Sequence, residues 1–131
     1  MDVQQNIEAV RRFYGAGPAD DDADRRGLFS PDAVWHVPGE NPVSGVYRGV
    51  DAIVEQMPAR MAPLDAWDLE LLDVMGNADM VVATVRLSGS RRGVTIATPG
   101  AHVFRLDDDA RIVEAWGFTQ QQARLDEFFS A

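Results

Sequence analysis

The sequence predicts an α+β domain in which helices come first and a meander of long antiparallel strands follows. Three observations lead there. Apolar residues recur at three- and four-residue spacing over 7–14 and again over 53–61. From residue 67 onward the pattern partly alternates and is rich in β-branched residues. Turn sequences at 76–79, 88–93 and 107–110 then divide this second half into hairpins, whose successive strands pair antiparallel. Such segregation of helices from strands excludes a parallel doubly wound sheet.

The elements follow in order. Ile7, Val10, Phe13 and Tyr14 line one face of a first helix, with Asp2 available as its N-cap and Gly15, Gly17 and Pro18 to end it. The carboxylates of Asp20, Asp21, Asp22 and Asp24 suit the positive end of a short second helix running through Leu28 and Phe29. Ser30-Pro31-Asp32 reads as a turn, 33–37 as a strand, 38–42 as a break and 45–49 as a short extended piece. Ile53, Met57 and Met61 mark a third helix over 50–61, with a kink or an end near Pro58. The long strands are 67–75, 80–88, 94–106 and 111–119, and a helical tail occupies 120–129. Pro99-Gly100 inside the third long strand predicts a bend or bulge. The curled sheet has a concave face that the helices must cover, and a pocket between the two layers is expected.

Composition narrows the function. With 131 residues, 46% of them hydrophobic and 25% charged, the chain reads as one soluble domain spanning 1–131. A core burying roughly two-thirds of the unfolded surface can contain a small pocket. The 21 acidic residues outnumber 12 basic ones, and a net charge of -9 argues against binding nucleic acid or an anionic membrane. There is no cysteine, hence no disulfide, thiolate metal site or cysteine nucleophile. The longest apolar stretch, 80–85 broken by Thr84, is too short to span a bilayer, and the first residues lack signal-peptide character. A cytoplasmic protein is expected.

Phe29-Ser30-Pro31-Asp32-Ala33-Val34-Trp35-His36-Val37-Pro38-Gly39, followed by Gly45-Val46-Tyr47-Arg48-Gly49-Val50-Asp51-Ala52-Ile53, resembles the SnoaL-like polyketide cyclase family. So does His102-Val103-Phe104-Arg105-Leu106 followed by Arg111-Ile112-Val113-Glu114-Ala115-Trp116. That family belongs to the nuclear transport factor 2-like superfamily, which also holds ketosteroid isomerases and limonene epoxide hydrolases. The resemblance implies a cone: a strongly curved antiparallel (mixed) sheet wrapped around three N-terminal helices, often dimeric through the outer face of the sheet. It implies less about activity, because this superfamily changes chemistry by changing pocket residues.

Acid–base chemistry needs a titratable group in an apolar cavity, and the chain has only two histidines. His102 shares a strand face with Phe104 and Leu106. The resemblance places it where ketosteroid isomerase has a protonated aspartate that donates to the substrate oxyanion. His36 points away from Trp35 and Val37, toward the loop after the strand or toward solvent. The resemblance also puts Val37 where the isomerase has its general-base aspartate, and Gly117 where many cyclases carry theirs. Neither residue can take a proton. On the last strand, Val113, Ala115, Gly117 and Thr119 form a small-residue face and Ile112, Glu114, Trp116 and Phe118 the other; alignment turns the small face inward.

The catalytic candidates are therefore His102, with Tyr14 and Tyr47 as hydroxyl donors. A tyrosine beside His102 would polarise a carbonyl or open an epoxide. The expected substrate-binding walls are Phe13, Trp35, Val37, Met57, Met61, Phe104 and Gly117, with the methionines adaptable to a greasy ligand. Arg48 reads as a structural contact. Phosphate-binding loops, a zinc triad, a calcium loop and a serine nucleophile elbow are all missing, so no cofactor and no metal are expected. Two functions fit: a cofactor-independent cyclase, isomerase or epoxide-opening hydrolase acting on a hydrophobic secondary metabolite such as a polyketide, or a non-catalytic binding or dimeric assembly module.

Overall fold

In the computed structural model, which describes residues 3–15 and 25–130, the chain begins with α1 (Val3–Gly15), β1 (Phe29–Val37) and β2 (Gly45–Arg48). A helical stretch over 50–60, α2, precedes β3 (Ala66–Gly76), β4 (Met80–Arg91), β5 (Val94–Leu106) and β6 (Ile112–Thr119), and α3 (Gln122–Ser130) closes the chain. Asp2, Gly17, Pro18 and the acidic run 20–24 lie outside the described residues. Arg25 and Arg26 are helical, but Leu28 is in a turn and Phe29 already starts β1. The expected second helix therefore stops short of both. None of the described helices is long and apolar enough to cross a membrane.

The six strands form one sheet in the order β2-β1-β6-β5-β4-β3. Every adjacent pair is antiparallel except β1 with β6, which run parallel, so the sheet is mixed. The β4–β5 hairpin turns on Arg92 and Gly93, both at positive φ (51° and 80°). Such two-residue turns match the right-handed twist of the flanking strands. Tight turning there lets β4 continue to Arg91, past the expected loop at 88–93. At the β3–β4 turn, Asn77 Oδ1 accepts the backbone N–H groups of Asp79 and Met80 at 2.8 and 3.0 Å.

Irregularities fall at other places than expected. Pro99 and Gly100 keep continuous register with Arg86 and Val85 of β4, so no bulge forms there. Pro99 is tolerated because β6 ends beside it: its carbonyl accepts Gln120 N–H at 3.1 Å, and the N–H it lacks would face the same vacated edge. The register shifts instead between Leu71 and Asp73 of β3, between Phe29 and Val34 of β1, and opposite Val113 of β6. Ser30-Pro31-Asp32 is consequently an irregular part of β1 and not a turn. The shift at Val113 also carries Ile112 into the core with Ala115 (1% and 0% exposed), although strict alternation would separate them. In α2, the irregularity precedes Pro58: Ala52–Gln56 is a π turn and Met57–Arg60 is α, so the hydrogen-bond pattern changes just before the residue that has no N–H to give to the preceding turn.

The core forms in two parts. The larger joins Ala9 and Val10 of α1 and Ile53 of α2 to the inner sheet face, including Trp35, Val81, Val85, Phe104 and Ile112. A smaller one, built from Val43, Ile96, Leu125, Phe128 and Phe129, docks α3 across the other end with Met61, Leu64 and Trp67 packed against it. The cavity is bordered by both.

Candidate active site

Between the helices and the inner sheet face lies a cavity of about 600 Å³. Its walls are largely apolar, as expected of small-molecule sites. α1 contributes Phe13 and Tyr14, β1 Trp35 and Val37, and the third helical region Met57 and Met61. His102 enters from β5, and Gly117 from the neighbouring position of β6, opposite it in the ladder. The small-residue orientation of β6 is the observed one for Ala115 and Gly117. A side chain at 117 would meet the His102 ring at 3.5 Å and Pro38 at 3.4 Å, so the glycine leaves space directly in front of the imidazole.

Two of the predicted residues sit elsewhere. Tyr47 is buried, but its hydroxyl donates to Val43 O at 2.6 Å and accepts from Arg60 Nη1 at 3.3 Å. It holds a loop and does not line the cavity, because β2 is the edge strand beyond β1. Phe104 is fully buried behind His102 in the main core and likewise does not line the cavity. Its ring packs edge-on against Trp35, Tyr14 and His102, at 5.7, 6.2 and 6.0 Å between centroids. Phe104 therefore supports the site from behind.

The chemistry concentrates on one contact. The Tyr14 hydroxyl is hydrogen-bonded to His102 Nδ1, bringing α1 and β5 together across 88 positions of sequence. Trp35 packs edge-on against the same imidazole, 5.4 Å between centroids. Burial lowers the His102 pKa to about 4 and raises that of the Tyr14 phenol, so both groups are neutral at pH 7. The direction of this bond follows the tautomer: with the Tyr14 O–H donating to Nδ1, the His102 proton stands on Nε2. Nε2 has no partner among the described residues, and it lies 3.8 Å from the empty side-chain position of Gly117. In that tautomer the pair presents one uncharged N–H donor to the cavity.

The other histidine belongs to the opposite face. His36 Nε2 donates to Glu114 Oε2 at 2.7 Å and stacks flat on Trp116 (5.4 Å, 4° between planes). That hydrogen bond, with Arg105 3.5 Å from the other oxygen, holds the Glu114 carboxyl below its usual range. Among the described residues no three His, Asp or Glu side chains converge as metal ligands. A second depression of about 570 Å³, beside Ser88, Ser90 and Arg124, contains neither histidine.

Sequence reasoning missed several wall residues: Phe29, Trp67, Leu125, Phe129, Asn41 and Gln122. The apolar spacing of Leu125, Phe128 and Phe129 was a usable signal that the last helix has a buried face. Asn41 and Gln122 carried none, since their placement depends on how a loop meets that helix.

A curved mixed sheet closed by helices over an apolar cavity defines a nuclear transport factor 2-like domain. The chain belongs to the SnoaL-like domain family, whose pattern it matches over residues 10–115. It is 32% identical over 118 residues to an uncharacterised protein of Mycobacterium tuberculosis H37Rv, covering 82% of this chain and 90% of that one. Among solved structures it is similar to Bal32a from a soil-derived mobile gene cassette: 27% identity, 97% and 98% of the two chains, TM-score 0.88. A nuclear transport factor 2-like protein of Burkholderia thailandensis E264 is similar at 26% identity, 97% and 98% coverage and TM-score 0.82.

Proposed function

We propose that this protein is a cofactor-independent enzyme that activates a carbonyl or epoxide oxygen on a hydrophobic small molecule, of polyketide or related secondary-metabolite type. The observation that carries this reading is the neutral Tyr14–His102 pair facing an apolar cavity. A ligand oxygen seated beside Gly117 accepts the Nε2–H. Negative charge developing on that oxygen during cyclisation or isomerisation is stabilised where water competes poorly, a setting in which a preorganised donor contributes most. Full proton transfer is disfavoured, because it would require tyrosinate at Tyr14, whose burial opposes ionisation. The pair therefore works mainly as a hydrogen-bond donor. Water activation for epoxide hydrolysis is the less favoured branch, since Val37 and Gly117 supply no base.

The test is to incubate the protein with a panel of aromatic and alicyclic ketones, enones and epoxides, and to follow products by mass spectrometry. For any converted compound, His102→Asn lowers turnover about 10²-fold or more. Unchanged turnover removes His102 from the mechanism. The same uncharged positions, Val37 and Gly117, favour a second reading as a binding module. In that case a ligand raises the melting temperature and is recovered unchanged. We also propose a homodimer through the outer sheet face, supported by the family resemblance and by Val46, which is 50% exposed beside His36. Analytical ultracentrifugation tests it, and a monomer at micromolar concentration rejects it.

A further inference from the structure

The 38–44 connection between β1 and β2 is built as a unit. Asn41 Oδ1 accepts the N–H groups of Val43 and Ser44 at 2.8 and 3.1 Å. Ser44 Oγ donates to Pro38 O at 2.9 Å and accepts Asn41 N–H at 3.1 Å. These bonds fix the shape of the loop from within. Its flanks are Gly39 and Gly45, at φ +91° and +141°, a region glycine enters without steric cost. The loop covers the cavity with Pro38, Asn41 and Val43, opposite Gln122 and Leu125 of α3.

Loop and helix meet through the packing of Val43, through Gln122 and through the carboxylate of Asp126. Asp126 Oδ1 accepts Asn41 Nδ2 at 2.7 Å and Gln122 Nε2 at 2.8 Å. Gln122 Nε2 also reaches Pro38 O at 3.4 Å. At Gly39 the approach is so close that a Cβ would stand 2.2 Å from Asp126 Oδ1 and 2.1 Å from Gln122 Nε2. Asp126 itself does not line the cavity. α3 is separately fixed at its far end, where Arg91 Nη1 donates to Phe129 O at 2.6 Å and Trp67 packs on Phe129. The helix is thus the fixed side of the contact, and the glycine-flanked loop is the side able to swing.

We propose that loop 38–44 is the gate of the cavity and that Asp126 is its latch. Residues 40–44 swing about Gly39 and Gly45, giving up the Ser44 bond to Pro38 O, withdrawing Val43 from the small core around α3 and opening the space in front of His102. Releasing the latch speeds passage in both directions and leaves the contacts of the bound ligand intact. Asp126 is a positioning residue: it acts on the loop, and touches no ligand. This rests on the same cavity as the functional reading, but not on catalysis.

Stopped-flow fluorescence with N-phenyl-1-naphthylamine, a neutral aromatic probe that brightens on leaving water, tests the gate. Asp126→Ala raises the rates of both entry and exit at least about fivefold, while the dissociation constant moves by less than about twofold. Unchanged rates, or a faster exit with affinity lost in proportion, make the loop a fixed wall and overturn the proposal. Thiol labelling of the ligand-free protein gives an independent readout. The chain has no cysteine and Val43 is 3% exposed, so the single thiol of Val43→Cys reacts faster in the Asp126→Ala background than with Asp126 present. Equal labelling rates in both backgrounds overturn the latch. Failure of the parent to bind the probe, with the labelling difference intact, counts against the cavity as a ligand site and leaves the latch standing.

Discussion

The two histidines show how one sheet creates two chemistries. His36 of β1 and His102 of β5 flank β6, opposite Trp116 and Gly117 respectively. One step along β6 changes the face. On the outer side His36 meets a carboxylate, an indole and water. On the inner side His102 meets a phenol and apolar rings, and burial lowers its pKa to about 4. The outer pair is a half-exposed hydrogen bond of modest energetic weight. The inner one is a neutral donor that only an incoming acceptor can complete. Side-chain direction therefore decides the function of the same residue type.

That contrast is sharpened first by deleting the support behind the inner ring. Phe104→Ala removes a fully buried side chain behind His102 and lowers stability by about 3–5 kcal/mol in urea unfolding. A loss below about 1 kcal/mol would mean that the inner face is loosely packed. Acid provides the next comparison. The folded-state pKa of His102 lies below its unfolded value of 6.5, so its neutral form contributes stability that is complete above pH 6.5. On acidification the unfolded chain takes up the proton first, and about 3 kcal/mol is lost as pH falls toward 4. Urea unfolding of the parent and of His102→Gln at pH 7 and pH 4 isolates this contribution. Equal pH dependence in both proteins would show that His102 is not buried neutral.

Activity should divide the same way. His102→Asn costs about 10²-fold or more in turnover, whereas His36→Gln leaves turnover within about threefold. A large loss from His36→Gln would move the chemistry to the outer face. The smallest effect is on stability: His36→Gln costs no more than about 1 kcal/mol, because the bond to Glu114 is partly solvated. Thermal melts at neutral pH measure it, and a shift comparable to that of Phe104→Ala would contradict the assignment.

Much of this was legible in the sequence, for physical reasons. Alternation along β5 placed His102 with Phe104 on one face, and that geometry does not depend on the rest of the fold. Helical spacing put Phe13 and Tyr14 on the buried side of α1. The contact between Tyr14 and His102 was conceivable only as a tyrosine near that histidine, because a pairing across 88 positions is set by how α1 crosses the sheet. Tyr47 stands off the cavity for a related reason. Strand order puts β2 at the sheet edge, and strand order is not written in local pattern. Ile112 eluded strict alternation because one bulged residue reverses the phase of everything beyond it. Asn6 is the clearest case of a local signal misleading. A polar residue falls outside the apolar stripe of α1, yet it is buried, with Nδ2 unpaired among the described residues.

The central claim is that the inner imidazole is a neutral donor with its proton on Nε2. With only two histidines in the chain, ring-nitrogen NMR across a pH series reads it directly, and His102→Asn identifies the signal. One ring should remain in the neutral Nε2–H form from pH 8 down to about 5 and titrate near 4. A His102 ring that is protonated at pH 6, or that carries its proton on Nδ1, would contradict the account.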